Sequence, residues 1–259
     1  MNDAMVGEFT ILLGRQWLTF TILLMGSIII SLAWMVLRAP PGKRSATVDV
    51  SLAALIGAVI MSRLFHVGLQ WAYFVDNTDQ ILRLNQGGFD WHGALIGGLC
   101  VAWLFSHRRK DNFMRLLDSA ALTVPLIGWA AWRGCAASSC AYGVPVSRMA
   151  DYPPLLTWEA RNIFDIIEPR FATQRLGMVL MCILLLFAVL LIWRNCLQGR
   201  RFWLIILLLS AGMFAIGFLR ADYALVVNNL RLDQWLDIVM VIVSAFALLF
   251  PSLRYQKSA

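Results

Sequence analysis

The chain has 259 residues, of which 60% are hydrophobic and 14% charged, with 11 Trp and 15 Phe. Soluble domains carry about 45–50% apolar and about 25% charged residues, and this much apolar surface cannot be hidden in one soluble core. A water-soluble enzyme, a disordered chain and a disulfide-stapled secreted domain are thereby excluded. The net charge of +7 does not point to nucleic acid: Lys and Arg sit in short loops between apolar runs, with no basic stripe carrying interleaved aromatics.

Seven apolar segments follow in order at 17–37, 48–75, 91–106, 116–137, 176–193, 202–219 and 234–250. A helix needs about 20 residues to cross the hydrocarbon core, whereas a membrane barrel shows alternating stretches of about ten. The pattern predicts an all-α polytopic membrane protein of seven transmembrane helices, read as one integral membrane domain over 1–259. The third run is short and spans only if its flanks reach into the interface. Residues 1–16 hold Asp3 and Glu8 and no basic stretch before a small-residue cleavage site, so no cleavable signal peptide is predicted.

Seven spans put the termini on opposite sides. Loops 38–47, 107–115 and 194–201 with the C-terminal tail contain twelve cations: Arg38, Lys43, Arg44, Arg108, Arg109, Lys110, Arg115, Arg194, Arg200, Arg201, Arg254 and Lys257. The N-terminal segment and the longer loops 76–90, 138–175 and 220–233 contain eight: Arg15, Arg83, Arg148, Arg161, Arg170, Arg175, Arg220 and Arg231. The positive-inside rule then predicts the N-terminus outside and the C-terminus in the cytoplasm. In the long outer loop, the amphipathic stretch 158–167 reads either as an interfacial helix or as an ordinary solvent loop.

Arg63, His66, His92 and Arg133 lie in or at the edge of spans. A charge at the bilayer centre costs about 2.5–3.5 kcal/mol on insertion scales, so these residues predict a polar chamber within the bundle. Taken singly, each could instead be a snorkelling side chain or a satisfied interhelical hydrogen bond.

Two local patterns stand out. Gly87-Gly88-Phe89-Asp90-Trp91-His92-Gly93-Ala94-Leu95-Ile96-Gly97-Gly98 places a histidine at the mouth of a span. An imidazole moves a proton near neutrality, and Gly93, Gly97 and Gly98 let another helix or a lipid chain approach the backbone. Alternatively, the pattern is a helix-packing face with an interfacial histidine. In Trp132-Arg133-Gly134-Cys135-Ala136-Ala137-Ser138-Ser139-Cys140-Ala141-Tyr142-Gly143, a fixed cation and small residues would suit an anionic headgroup. The five cysteines lie mostly in apolar runs, as small packing residues. Cys135 and Cys140 face an oxidising side, but five residues on a regular helix put them on different faces, so pairing requires the helix to end between them. Two Cys with no further Cys or His nearby make a weak metal site.

These segments resemble the bacterial prolipoprotein diacylglyceryl transferases. Met61-Ser62-Arg63-Leu64-Phe65-His66-Val67 looks like that family's G-A-R-x-x-Y-V, and 87–98 like its G-G-L-S-x-H-G-G-x-x-G-G. Residues 132–143 look like R-I-G-C-F-x-x-G-C-C-Y-G. Arg170-Phe171-Ala172-Thr173-Gln174-Arg175-Leu176-Gly177 sits where the family has R-H-P-T-Q-L-Y-E. Phe218-Leu219-Arg220-Ala221-Asp222 resembles E-F-x-R-x-D, and Leu232-Asp233-Gln234-Trp235 the start of its last span.

The resemblance implies a seven-span protein of the bacterial cytoplasmic (inner) membrane; no cofactor is expected, and the absence of metal-ligand clusters in the sequence argues against a metal. It would transfer the diacylglyceryl group of phosphatidylglycerol to a lipobox cysteine thiol of a preprolipoprotein. It implies His92 as the catalytic base or thiol orienter, and Arg63, Arg133 and Arg220 as cations holding the headgroup. Gly93, Gly97, Gly98, Tyr142, Gly143 and Gln174 would line the substrate site. The departures are specific. The signature arginine falls on Trp132, the first-span tyrosine on Leu18, and the Y-E pair on Leu176-Gly177. On the sixth span the glutamate falls on Gly217, an arginine on Met213 and a tyrosine on Leu209. Losing one strong donor to the developing charge costs about 2.7–4 kcal/mol. The alternative is therefore a non-catalytic, transferase-like scaffold or subunit of a membrane complex.

Overall fold

The computed structural model describes residues 9–12, 15–84 and 87–249. The last residue of the seventh run and the tail with Arg254 and Lys257 lie outside the described residues. An antiparallel hairpin, β1 (Phe9–Leu12) and β2 (Arg15–Leu18), leads into α1 (Thr19–Arg38). The helices α2 (Arg44–Leu69), short α3 (Trp71–Phe74), α4 (Trp91–Arg108), α5 (Phe113–Ala120) and α6 (Thr123–Ala137) follow. After the outer loop come α7 (Thr173–Trp193), α8 (Arg201–Gly217) and α9 (Leu232–Leu249). Each of the seven apolar runs thus carries a helix. Five segments are long and apolar enough to cross a bilayer: α1, α2, α5 with α6 taken together, α7 and α9. The helix α8 has 17 residues and is apolar.

Leu, Ile and Val on the outer faces, such as Ile29, Ile56, Ile183, Leu186 and Ile242, are more than half exposed. Such a surface belongs in lipid. Inside, α5, α6, α7 and α8 close on a core of Leu117, Trp132, Met181, Leu184, Ile205 and Ile206. With lipid outside, helices gain little from hydrophobic burial and associate by close packing, which favours small residues at the contacts. The α2–α4 pair is the clearest instance. A Cβ on Gly57 would lie 2.8 Å from the Gly97 carbonyl, and one on Gly93 would lie 2.5 Å from the Met61 carbonyl. The glycine face of α4 is therefore occupied by a helix.

The stretch 158–167 is neither helix nor plain loop. It belongs to an antiparallel hairpin, β3 (Thr157–Arg161) with β4 (Ile167–Phe171). Pairing decides this: Thr157 to Arg161 run in register against Phe171 to Ile167, and the Asn162 carboxamide accepts from the Phe164 and Ile166 N–H groups to close the turn. A second small hairpin, β5 (Val226–Val227) with β6 (Leu230–Arg231), turns through Asn228 and Asn229. Both have positive φ, the conformation of a two-residue hairpin turn.

The segment 142–146 ties this outer layer together. Val144 N–H donates to Leu219, Ala221 N–H donates to Tyr142, and Phe171 N–H donates to Val144, all at 2.9–3.0 Å. The outer loop is thereby stitched to the α8–α9 connection. The helix α6 ends at Ala137, and Ser139 takes a positive φ. The chain reverses between Cys135 and Cys140, and the two form a disulfide.

Candidate active site

Helix α4 begins at Asp90, whose carboxylate accepts the Gly93 N–H at 3.0 Å, an N-cap that fixes the first turn. The glycines before it turn the chain sharply: Gly87 and Gly88 have φ of +76° and +75°. Gly88 is also hemmed in, since a Cβ there would lie 2.5 Å from His66 Nε2 and 2.7 Å from an Arg63 nitrogen.

This cap holds His92, which has no exposed surface. Its Nδ1 lies 3.3 Å from Asp90 and its Nε2 3.1 Å from Asp237 on α9. A neutral imidazole has one N–H and a carboxylate has none, so the two contacts together require a second proton on the trio. Burial alone would push the Asp90 carboxyl up, but the bonds from His92 and from the Gly93 N–H hold it below the usual carboxylate value. Of the three groups Asp90 is the one solvent reaches, at 11% exposure against 4% for Asp237.

One turn before Asp237 on the same face of α9 stands Asp233. It pairs with Arg220 at 3.1 Å and with Arg231 at 3.1 Å. Arg220 also grips Asp222 through two nitrogens, at 2.8 and 2.5 Å. Burial would lower the Arg220 guanidinium, but Asp222, Asp233 and Asp237 together hold it above the usual arginine value, so it stays charged. A run of alternating charge therefore joins His92 to the α8–α9 connection through Asp237.

The other expected residues have definite places. Arg63 is buried and donates to four carbonyls: Ile81, Gln80, Gly87 and Gly88, at 2.5–3.0 Å. It fixes the loop before α4. Arg133 is half-buried on α6, next to Trp132. Tyr142 is buried with the Arg170 guanidinium over its ring at 5.1 Å, and Arg170 donates to the Gly143 carbonyl. Gln174 donates to the Cys140 carbonyl at 2.8 Å. A Cβ on Gly98 would meet Ala54 and Ala58 of α2 at ordinary van der Waals distance.

Residues at the positions of departure are accommodated in pairs. Trp132 is buried against Gly177, where any Cβ would overlap the indole. Gly217 leaves room for Gln234, which donates to the Phe214 carbonyl and accepts from the Arg231 N–H. Among the described residues no group of three or more His, Cys, Asp or Glu is arranged to hold a metal.

Sequence reading missed Asp90 and Asp237. Asp237 did carry a signal, as the only ionisable side chain in the run 234–250, since intramembrane carboxylates usually have a specific partner.

The sequence matches the family model described as prolipoprotein diacylglyceryl transferase over residues 9–250. It is 34% identical over 205 residues to the phosphatidylglycerol–prolipoprotein diacylglyceryl transferase of Shouchella clausii (strain KSM-K16), covering 77% of this chain and 72% of that protein. It is 28% identical over 217 residues to the enzyme of the same name from Lysinibacillus sphaericus (strain C3-41), covering 81% and 78%. Against that of Clostridium novyi (strain NT) it is 28% identical over 214 residues, covering 81% of each.

Proposed function

The chain belongs to the prolipoprotein diacylglyceryl transferase family, a family of membrane transferases, and we propose on that premise that it transfers a diacylglyceryl group from phosphatidylglycerol to the lipobox cysteine of a preprolipoprotein. The observation that carries this reading is the buried imidazole of His92 held between Asp90 and Asp237.

The thiol is a poor nucleophile until it loses its proton. In this reading the proton enters beside Asp90, the member of the trio nearest solvent, and rests on His92, whose two N–H groups then meet both Asp90 and Asp237, so the doubly bonded imidazole is the state after the thiol proton has been taken up. The sulfur forms a thioether bond to the glyceryl carbon, the bond from that carbon to the phosphate oxygen breaks, and glycerol phosphate leaves with the electron pair. Arg220, charged and within electrostatic reach of Asp237, would face the leaving phosphate with Arg133. Arg63 acts by fixing Gly87 and Gly88. Gly93, Gly97 and Gly98 set α4 against α2, and Gln174, Tyr142 and Gly143 hold the outer wall.

The same reading makes 1–259 one membrane domain of seven spans in the bacterial inner membrane, N-terminus outside. Two clusters support it. The C-terminal ends of α2 and α6 and the N-terminal ends of α4, α7 and α9 gather around the disulfide, the hairpins and His92. The opposite ends carry the larger share of Lys and Arg in short loops.

A second reading has its own observation. Trp132 against Gly177, and Gly217 against Gln234, put an apolar or neutral contact where the family pattern has charge. That suits a non-catalytic scaffold in a complex. Complementation of a strain lacking its lipoprotein transferase separates the two. Rescue that vanishes with His92→Ala, together with thioether formation on a lipobox peptide in vitro, supports the enzyme. No rescue by a well-expressed protein, with stable co-purification of other membrane subunits, supports the scaffold.

A further inference from the structure

The outer hairpin is part of a wider layer. Beside β4 runs 142–146: Phe171 N–H donates to Val144, Val146 N–H donates to Pro169, and Pro145 bridges Arg170. Beside that segment runs 219–221, with Gly143 opposite Arg220. The extended segments thus lie in the order β3, β4, 142–146, 219–221. One side of the layer ends at Arg220, within electrostatic reach of Asp237. The other side ends at β3.

Register fixes which groups of β3 face outward. At one end Ala172 N–H donates to the Leu156 carbonyl, and at the other Asn162 N–H donates to the Ile166 carbonyl. In an antiparallel pair, successive residues alternate between bonding the partner strand and pointing away from it. Leu156, Trp158, Ala160 and Asn162 therefore bond toward β4, while Thr157, Glu159 and Arg161 aim N–H and C=O away from it. The other strand agrees. Phe171 and Pro169 stand opposite Thr157 and Glu159, and they direct an N–H and a carbonyl to Val144 and Val146. Among the described residues no segment pairs with the outward edge of β3. Thr157 is covered, but Glu159 and Arg161 are exposed. Proteins commonly blunt such an edge with a proline or a bulge, and β3 holds no proline and pairs in continuous register.

We propose that the β3 edge at Glu159 and Arg161 binds an extended peptide, which adds to the layer as a further strand. Main-chain hydrogen bonds supply the affinity in this mode of docking. The identity of the peptide rests on the transferase reading above: it is the stretch of the preprolipoprotein that follows the lipobox cysteine. Strands lie about 4.8 Å apart, so a peptide on β3 sits about 19 Å from 219–221. At about 3.3 Å per residue, about six residues cover that distance from a thiol held beside Arg220. The pairing stretch therefore starts about six residues after the cysteine.

The test uses the full chain in nanodiscs containing phosphatidylglycerol, with fluorescent lipobox peptides ending roughly three or ten residues past the cysteine. Anisotropy, with serine in place of that cysteine, reads binding without turnover; thioether formation reads the chemistry. The longer peptide should bind at least about tenfold tighter, because several main-chain hydrogen bonds are added. N-methylation of single backbone nitrogens beyond about the sixth residue should weaken binding about threefold or more at every second position, since alternate N–H groups of a strand face β3. Glu159→Pro removes only an outward N–H, which an edge strand tolerates. It should erase the advantage of length and leave turnover of the short peptide unchanged. Should that variant fold poorly, the N-methyl series on the parent decides alone. Equal affinity of the two peptides, or weakening without alternation, overturns the strand. Tighter, alternating binding of the longer peptide with no thioether on either supports the strand and overturns the transferase reading. Thioether on both peptides at equal affinity does the reverse.

Discussion

The imidazole of His92 on α4 and the carboxylate of Asp237 on α9, 145 residues apart in the chain, meet at 3.1 Å. The contact joins the α2–α4 pair to the α8–α9 pair. Asp237→Asn keeps the shape but cannot carry the negative charge. It should lower thioether formation by about 10²–10⁴-fold, the usual weight of general acid–base catalysis, with unfolding in detergent little changed. Asp237→Leu leaves the His92 nitrogen buried without a partner and should destabilise by about 1–3 kcal/mol. Equal activity of the Asn variant and the parent, measured on a lipobox peptide with phosphatidylglycerol, would remove Asp237 from the mechanism.

Arg63 illustrates a different use of charge. Its guanidinium reaches four carbonyls of the chain before α4. Lys has one ammonium and no planar fork, so Arg63→Lys recovers only part of this set. Both Arg63→Lys and Arg63→Ala should loosen Gln80, Ile81, Gly87 and Gly88, and Ala should cost about 2–4 kcal/mol, as the loss of hydrogen bonds to a charged donor. Amide hydrogen exchange reads this directly: exchange should rise at Gly87 to Gly93 in both variants, most in Ala. Unchanged protection there would mean the loop is held by other contacts.

Much of this architecture could be read from apolar run lengths alone, because a lipid-embedded chain satisfies its backbone through helices and its spans must match the bilayer. The 87–98 pattern marked the start of α4 and its packing face. The hairpin at 157–171 was harder: a short stretch with Trp158 and Ile163 to Ile167 can be amphipathic in either period, and its pairing partner decides. The partners of His92 required tertiary information. Asp237 is visible as a lone intramembrane acid, but nothing local says which base it meets. Trp132 and Gly177 likewise look like two separate losses until α6 and α7 are side by side.

The Asp90 carboxyl is held below the usual carboxylate value. Its charged form therefore contributes stability that is fully present above the unfolded value, about 3.9, and is lost as pH falls through the lower folded value. Asp90→Asn should melt below the parent, by an interval that is largest near about pH 5, where the partner imidazole is protonated and the carboxylate still charged. The interval should narrow in more acid solution, where the parent too becomes uncharged. An interval that widens below about pH 4 would contradict the sign of the shift.

Trp132 and Gly177 form one coupled position: the indole fills the volume that a side chain at 177 would need. Each single change toward the charged family pattern should therefore be costly. Trp132→Arg buries an unpaired cation, worth about 3–5 kcal/mol when its partner is missing. Gly177→Glu drives a carboxylate into the indole, and overpacking alone costs about 1–3 kcal/mol. Made together, the two changes remove the clash and give each charge its counterion, so the double variant should be more stable than the sum of the singles predicts, by about 0.5–3 kcal/mol. A double-mutant cycle on thermal unfolding in detergent measures the coupling. Simple additivity would mean that the two sites are independent despite their contact. A coupled double variant whose thioether formation also rises would show that the Trp132–Gly177 contact limits the chemistry, whereas coupling without any gain in rate confines it to packing.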